Sequence, residues 1–199
     1  RELTGPLLED FFYYDYAKDN SLIQYWAEDI GFIADSLASL QAPIAGFPGI
    51  LDLGRMGVFG MSYGGAAAGE FCKIDSRCKA GANLDGTQVG HHWEQKVPVP
   101  FLMLYNEEHQ GGNDYAYMPA VADFWDLRVD GATHMDFTDF VYLWPLLKLV
   151  GFSGSIDGMR MTEILNSIQL DFFDHYLKGK PVRDRMIAGF PEVVVRKVP

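Results

Sequence analysis

Ser62 stands in Gly60-Met61-Ser62-Tyr63-Gly64, a spacing that can make a serine hydroxyl a nucleophile. The preceding run, Arg55-Met56-Gly57-Val58-Phe59, is short and apolar and reads as a buried strand. The following run, Gly65-Ala66-Ala67-Ala68-Gly69-Glu70-Phe71, is rich in small residues and reads as the start of a helix. Strand, Gly-x-Ser-x-Gly and helix together make a nucleophile elbow. The turn is so sharp that the serine is strained, and the flanking glycines leave room for it. Its Oγ then stands clear of the sheet, and the N–H of Tyr63 points toward the substrate oxygen as one oxyanion donor. The pattern by itself is common in a chain with 21 glycines; the strand and helix on either side make it specific.

A serine hydroxyl is a poor nucleophile until a base takes its proton, and the base must be oriented by a third group. In α/β-hydrolases, the folds that carry this elbow, the chain order is serine, acid, histidine. Five histidines are available. His175 falls in the last predicted helix, away from its apolar stripe. His91 and His92 are adjacent in a polar loop with nothing nearby to complete a metal site, so none is expected. His109 follows a strand in a Glu/Gly-rich loop and is ambiguous. His134 lies in Gly131-Ala132-Thr133-His134-Met135, directly after a predicted strand, where the fold delivers its base. The acid has more than one candidate. Asp85 ends one strand, and Glu107 and Glu108 end the next; carboxyl ends of strands line the crevice, and geometry alone does not choose.

These residues need a scaffold. The 199-residue chain is 48% apolar, enough for one domain with a core. Its net charge of −11 argues against a nucleic-acid partner, because it would repel a phosphate backbone. No run reaches the roughly 18 apolar residues of a membrane span. Leu22, Trp26, Ile30, Ile33, Leu37 and Leu40 recur at helical spacing behind Ser21, an N-cap with Gln24 at the capping-box position. Strands are predicted at Ala80–Leu84, Phe101–Tyr105 and Phe124–Val129, with a final edge strand at Val193–Val195. The last helix carries Met161, Ile164, Leu165, Ile168, Phe172, Tyr176 and Leu177, and Gly179 and Pro181 end it. Alternating helices and apolar strands give an α/β class with a mostly parallel sheet. Cys72 and Cys78, across a short helix-to-strand loop, are expected to form a disulfide in a secreted or periplasmic protein; two buried thiols are the alternative.

Three segments carry a resemblance. Val58 to Ala67, Ala80-Gly81-Ala82-Asn83-Leu84-Asp85-Gly86, and Gly131-Ala132-Thr133-His134-Met135-Asp136-Phe137-Thr138-Asp139 are similar to plasma-type platelet-activating factor acetylhydrolases and their bacterial carboxylic ester hydrolase relatives, neighbours of the dienelactone hydrolases. Ile156-Asp157-Gly158 and Phe172 to Gly179 fit the same relatives. The resemblance implies an α/β-hydrolase fold and a Ser62–Asp85–His134 triad, placing the acid at Asp85. It implies ester hydrolysis through an acyl-enzyme on Ser62, with no metal or organic cofactor. Met61 stands where the family usually has histidine. No counterpart appears here for the early-sheet loop that supplies the family's second oxyanion donor.

The substrate expected is an ester with a short-chain or lipid-like acyl group. A polyester, lactone or amide substrate for the same triad, or a non-catalytic binding protein, are the alternatives. Met61, Trp93, Met135 and Phe137 are candidates for the pocket wall. Phe140 to Phe152, FVYLWPLLKLVGF, reads either as a hydrophobic cap or wall, with possible contact to a lipid interface, or as a core helix. Residues 1–199 read as the C-terminal portion of a single α/β-hydrolase domain, irregular over 1–20. Only 54 residues precede Arg55, without a convincing strand, so the sheet is expected to lack its N-terminal strands and to show an open edge beside Val58, with an exposed apolar face near Trp26 and Ile30.

Overall fold

The computed structural model describes residues 22–39, 51–90, 95–109, 113, 123–143, 148–149, 151–182 and 189–196. Helix α1 spans Leu22–Ser39. Strand β1, Met56–Met61, runs through Ser62 into α2, Tyr63–Ile74. Strands β2 (Cys78–Leu84), β3 (Phe101–Tyr105) and β4 (Phe124–Val129) follow. After β4 come a 3-10 turn at His134–Phe137, a short α3 at Phe140–Leu143 and the long α4 at Gly158–Lys178; β5 is Val193–Arg196.

The five strands form one sheet in the order β1-β2-β3-β4-β5. The first four are parallel and β5 is antiparallel to β4. The mostly parallel sheet with flanking helices is the α/β-hydrolase type expected. Both faces are covered, which is why the strands read as continuous apolar runs instead of alternating ones. All five residues of β3 are buried. Leu102 and Leu104 face α4 with Met161, Ile164, Ile168 and Phe172. Phe101, Met103 and Tyr105 face the other way, toward Phe71 of α2 and Ala27 of α1.

Helix α1 packs by a different stripe than its periodicity suggested. Ile23, Ala27 and Ala34 are buried, whereas Leu22, Trp26, Phe32 and Ile33 are exposed. The helix is apolar on more than one side; Ile23 packs with Ala66 and Ala67 of α2, and Ala27 with Phe71 and Cys72. Trp26, 51% exposed, still packs edge-to-face on Tyr63, 5.0 Å between ring centroids. Arg77 after α2 pairs with Asp35 at 2.6 Å and Asp75 at 2.6 Å, tying α1 to the α2–β2 turn.

Cys72 and Cys78 form the expected disulfide, joining the end of α2 to the first residue of β2 with Cα atoms 5.1 Å apart. Helix α4 is capped at both ends. Asp157 accepts the N–H of Arg160 at 3.0 Å, and Gly179 turns left-handed at φ 67°.

Among the described residues β1 pairs with β2 alone, and Phe59 is 60% exposed. Residues 1–20, the segment whose pairing would close that edge, and Ser21 lie outside the described residues, as does part of the Phe140–Phe152 run. Within that run, Phe140, Leu149 and Phe152 are exposed.

Candidate active site

Four adjacent parallel strands end on one side of the sheet, and each delivers part of the site. Met61 is in register with Leu84, Leu84 with Leu104 and Tyr105 with Arg128. Ser62, Asp85, the Asn106–His109 turn and the His134 loop therefore follow neighbouring strand ends, the crevice position of open α/β sheets.

Among the described residues two non-glycine residues have positive φ, Ser62 at 55° and Asp85 at 55°. Ser62 also has ψ −124°, outside the ordinary left-handed well. Such conformations persist only where the surroundings enforce them. Ser62 N–H donates to Leu84 O at 2.8 Å, and Ser62 O accepts the N–H groups of Gly65 and Ala66 at 3.0 and 3.2 Å. The bend needs close backbone approach. A Cβ on Gly60 would lie 2.3 Å from Gly64 C, and one on Gly65 would lie 2.2 Å from Asn83 Oδ1. Gly64 has nothing within 4 Å of that position. Gly65, outside the five-residue pattern, is thus constrained as Gly60 is, whereas Gly64 is not.

Asp85 is held by a built turn. Its N–H donates to Leu104 O at 2.8 Å. Buried Asn83 closes the turn, accepting the Gly86 N–H at 2.8 Å and donating to Gly86 O at 3.0 Å. The Asp85 side chain has no exposed surface. Its Oδ1 accepts the Asn106 N–H at 2.9 Å, and its Oδ2 accepts Asn106 Nδ2 at 2.8 Å.

His134 Nδ1 lies 2.7 Å from Asp85 Oδ2, and His134 Nε2 lies 3.1 Å from Ser62 Oγ. The line Ser62–His134–Asp85 is therefore continuous at hydrogen-bond distances. With Nδ1 donating to the carboxylate, Nε2 is left as the acceptor for the serine proton. The His134 loop is fixed separately: Asp136 Oδ2 accepts from the N–H groups of Thr133 and Gly154, both at 2.7 Å, and from Thr133 Oγ1 at 2.9 Å.

Glu107 does not reach the histidine; its Oε1 accepts the Gly131 N–H at 2.8 Å. Glu108 is exposed. His175 places Nδ1 2.6 Å from Lys180 O, beyond the end of α4. His109 is the residue sequence reasoning left undecided. Its Nδ1 lies 3.1 Å from Asp85 Oδ2. The Asp85 carboxylate beside it holds the His109 imidazole above the ordinary histidine value, with burial opposing. The signal available in the sequence was its place just past a strand end, shared by many loop residues.

Ser62, Tyr63, Asp85, Thr87, Val89, His109 and His134 line a cleft of about 360 Å³, in the range of small-molecule sites. The proposed wall residues are corrected accordingly. Phe137 is buried in the core under α4, and Met61 packs against that same core. Met135 is half-buried but does not line the cleft, and Trp93 lies outside the described residues. Met61 and Phe137 turn into the core because the sheet needs covering there; besides Ser62, Asp85, His109 and His134, the wall comes from Tyr63 and from Thr87 and Val89 after β2. Asp85, His109 and His134 are the group among the described residues whose donor atoms, within 4.8 Å of one another, come close enough to share a cation. Those donors face one another at hydrogen-bonding separations of 2.7 and 3.1 Å, with Asn106 on the same oxygen, so the arrangement fits proton sharing.

Comparison with known proteins places this geometry. The family described as platelet-activating factor acetylhydrolase, isoform II, matches residues 33–185, well over half of the chain. The chain belongs to this family. A platelet-activating factor acetylhydrolase of Cavia porcellus is 26% identical over 160 residues, covering 75% of this chain and 36% of that protein. The Gallus gallus protein of the same name is 26% identical over 139 residues, covering 65% and 33%. The chain thus spans about a third of the length of these curated relatives. A ferulic acid esterase from Streptomyces cinnamoneus superposes with a TM-score of 0.74 and 29% identity, over 88% of this chain and 55% of that one. No helix among the described residues is long and apolar enough to cross a membrane.

Proposed function

We propose that this chain carries the catalytic machinery of a serine carboxylic ester hydrolase. The observation that carries the reading is the continuous Ser62–His134–Asp85 line on a serine in a strained elbow. Ser62 Oγ attacks the ester carbonyl while His134 Nε2 takes its proton. The same nitrogen returns that proton to the leaving alcohol, and water then releases the acyl group from Ser62 by the reverse exchange. Asp85 holds the imidazole in the Nδ1–H tautomer and stabilises the imidazolium.

Tyr63, the first residue of α2, puts its N–H at the positive end of that helix, beside the oxygen that becomes negative. A donor so placed contributes about 3 kcal/mol in comparable hydrolases. The residues need no metal or organic cofactor for this sequence of steps.

An ester with a short-chain or lipid-like acyl group suits the half-apolar cleft, whose wall includes Tyr63 and Val89. The names of the relatives, acetylhydrolase and ferulic acid esterase, favour an ester over an amide. The Cys72–Cys78 disulfide supports an exported protein. The reading is tested with a fluorophosphonate probe and a series of p-nitrophenyl esters. The protein should be labelled and turn over, and Ser62→Ala should lose both labelling and turnover, by about 10⁴-fold or more. A Ser62→Ala protein that is still labelled and active would put the chemistry elsewhere.

A further inference from the structure

One carboxylate serves two imidazoles. Asp85 Oδ2 lies 2.7 Å from His134 Nδ1 and 3.1 Å from His109 Nδ1. The second contact is built. Asn106 donates its amide to the same Oδ2 at 2.8 Å, while its Oδ1 accepts the N–H groups of Glu108 and His109 at 2.7 and 3.0 Å. One side chain thus clamps the His109 backbone to the buried acid. The two imidazole rings meet edge to face, 5.8 Å between centroids.

We propose that His109 is a positioning residue for the triad, sharing the charge of Asp85 with His134 so that its protonation state sets how strongly Asp85 supports the His134 imidazolium. This inference rests on reading Ser62, His134 and Asp85 as a triad. With His109 neutral, its Nδ1–H lends Asp85 a neutral hydrogen bond and leaves the carboxylate's charge for His134. With His109 protonated, the same contact becomes an ion pair, and that charge is largely spent. A cation 5.8 Å away also opposes a second one on His134.

Among the described residues, the ionisable groups facing His109 are Asp85 from the end of β2, His134 from the loop after β4, Glu108 from its own turn and Tyr63 across the cleft. The two carboxylates favour the charged form of His109, which also partly opens to solvent. Protonation of His109 therefore draws the Asp85 charge toward itself, and turnover falls with it.

The test is the dependence of kcat/KM for a p-nitrophenyl ester on pH, from about 5 to 9, in the wild type, His109→Asn and His109→Gln. The wild-type acid limb should need two ionisations, seen as a shoulder or a log–log slope above about one, whereas both variants should follow a single ionisation. Identical single-proton limbs in all three proteins, whatever their absolute rates, would overturn the inference, since a merely structural role scales activity without reshaping the profile. If the variants do not fold, proton NMR of the wild type decides: the ring signals of His134 should shift as His109 titrates, and independent titrations would overturn it. A wild type that hydrolyses no ester removes the triad reading instead, and the NMR arm still reports whether the two rings share Asp85.

Discussion

The Glu107 carboxylate accepts the Gly131 N–H at 2.8 Å, so an acid at the end of β3 holds the loop that carries His134 and leaves the imidazole to Asp85. The two acids should separate by mutation. Asp85→Asn should lower kcat by about 10⁴-fold, because the amide favours the wrong tautomer. Glu107→Ala removes one exposed hydrogen bond, about 1 kcal/mol, and should lower kcat less than about tenfold. Steady-state kinetics on both variants checks this; a larger loss at Glu107 would reverse the assignment.

The strain at Ser62 should be visible as stability. A residue at φ 55°, ψ −124° costs about 1–3 kcal/mol unless it is glycine. Ser62→Gly should therefore be more stable than Ser62→Ala by about 1 kcal/mol, part of the gain being returned as chain entropy. Both should be inactive. Urea unfolding that ranks alanine above glycine would remove the strain argument.

Neighbouring glycines should differ sharply. Gly64→Ala meets nothing within 4 Å and should be neutral or gain up to about 1 kcal/mol from helix propensity. Gly65→Ala would place Cβ 2.2 Å from Asn83 Oδ1, and Asn83 is tied to Gly86 on both sides. The turn that holds Asp85 must then move, at a cost of about 3 kcal/mol. Thermal unfolding of the two single variants tests the difference.

The Cys72–Cys78 bond closes a short loop, so its contribution by chain entropy is about 2 kcal/mol. The double alanine variant should lose about that much stability, and alkylation of the denatured, unreduced protein should find no thiol. Two free thiols by mass would remove both the bond and the argument for export.

Much of this site was legible because its constraints are local. The elbow needs glycines and small residues within a few positions, and a parallel strand covered on both faces needs an apolar run, so β1 to β4 and Ser62 could be read in place. His134 was read from its loop directly after the run that forms β4. The rest depends on three-dimensional neighbours. Asp85 and Glu107 both follow strand ends, and only the register of β2 beside β3 brings one to His134 and the other to Gly131. His109 reaches Asp85 through Asn106, a contact with no sequence period. In α1 the large residues Trp26 and Ile33 dominated the pattern, yet Ala27 and Ala34 are the ones close packing buries.

The His109–Asp85 contact should also register in stability, with a defined sign. The carboxylate raises the folded-state value of His109 above that of an unfolded histidine, about 6.5. The stabilisation is therefore fully present below about pH 6.5 and is lost as pH climbs through the raised folded-state value. Comparing the wild type with His109→Gln cancels the other titrating groups to first order. The melting temperature of the wild type should exceed that of the variant by more at about pH 5.5 than at about pH 8.5. A difference that is constant across that window, or larger at the alkaline end, would show that His109 gains nothing from Asp85 on protonation.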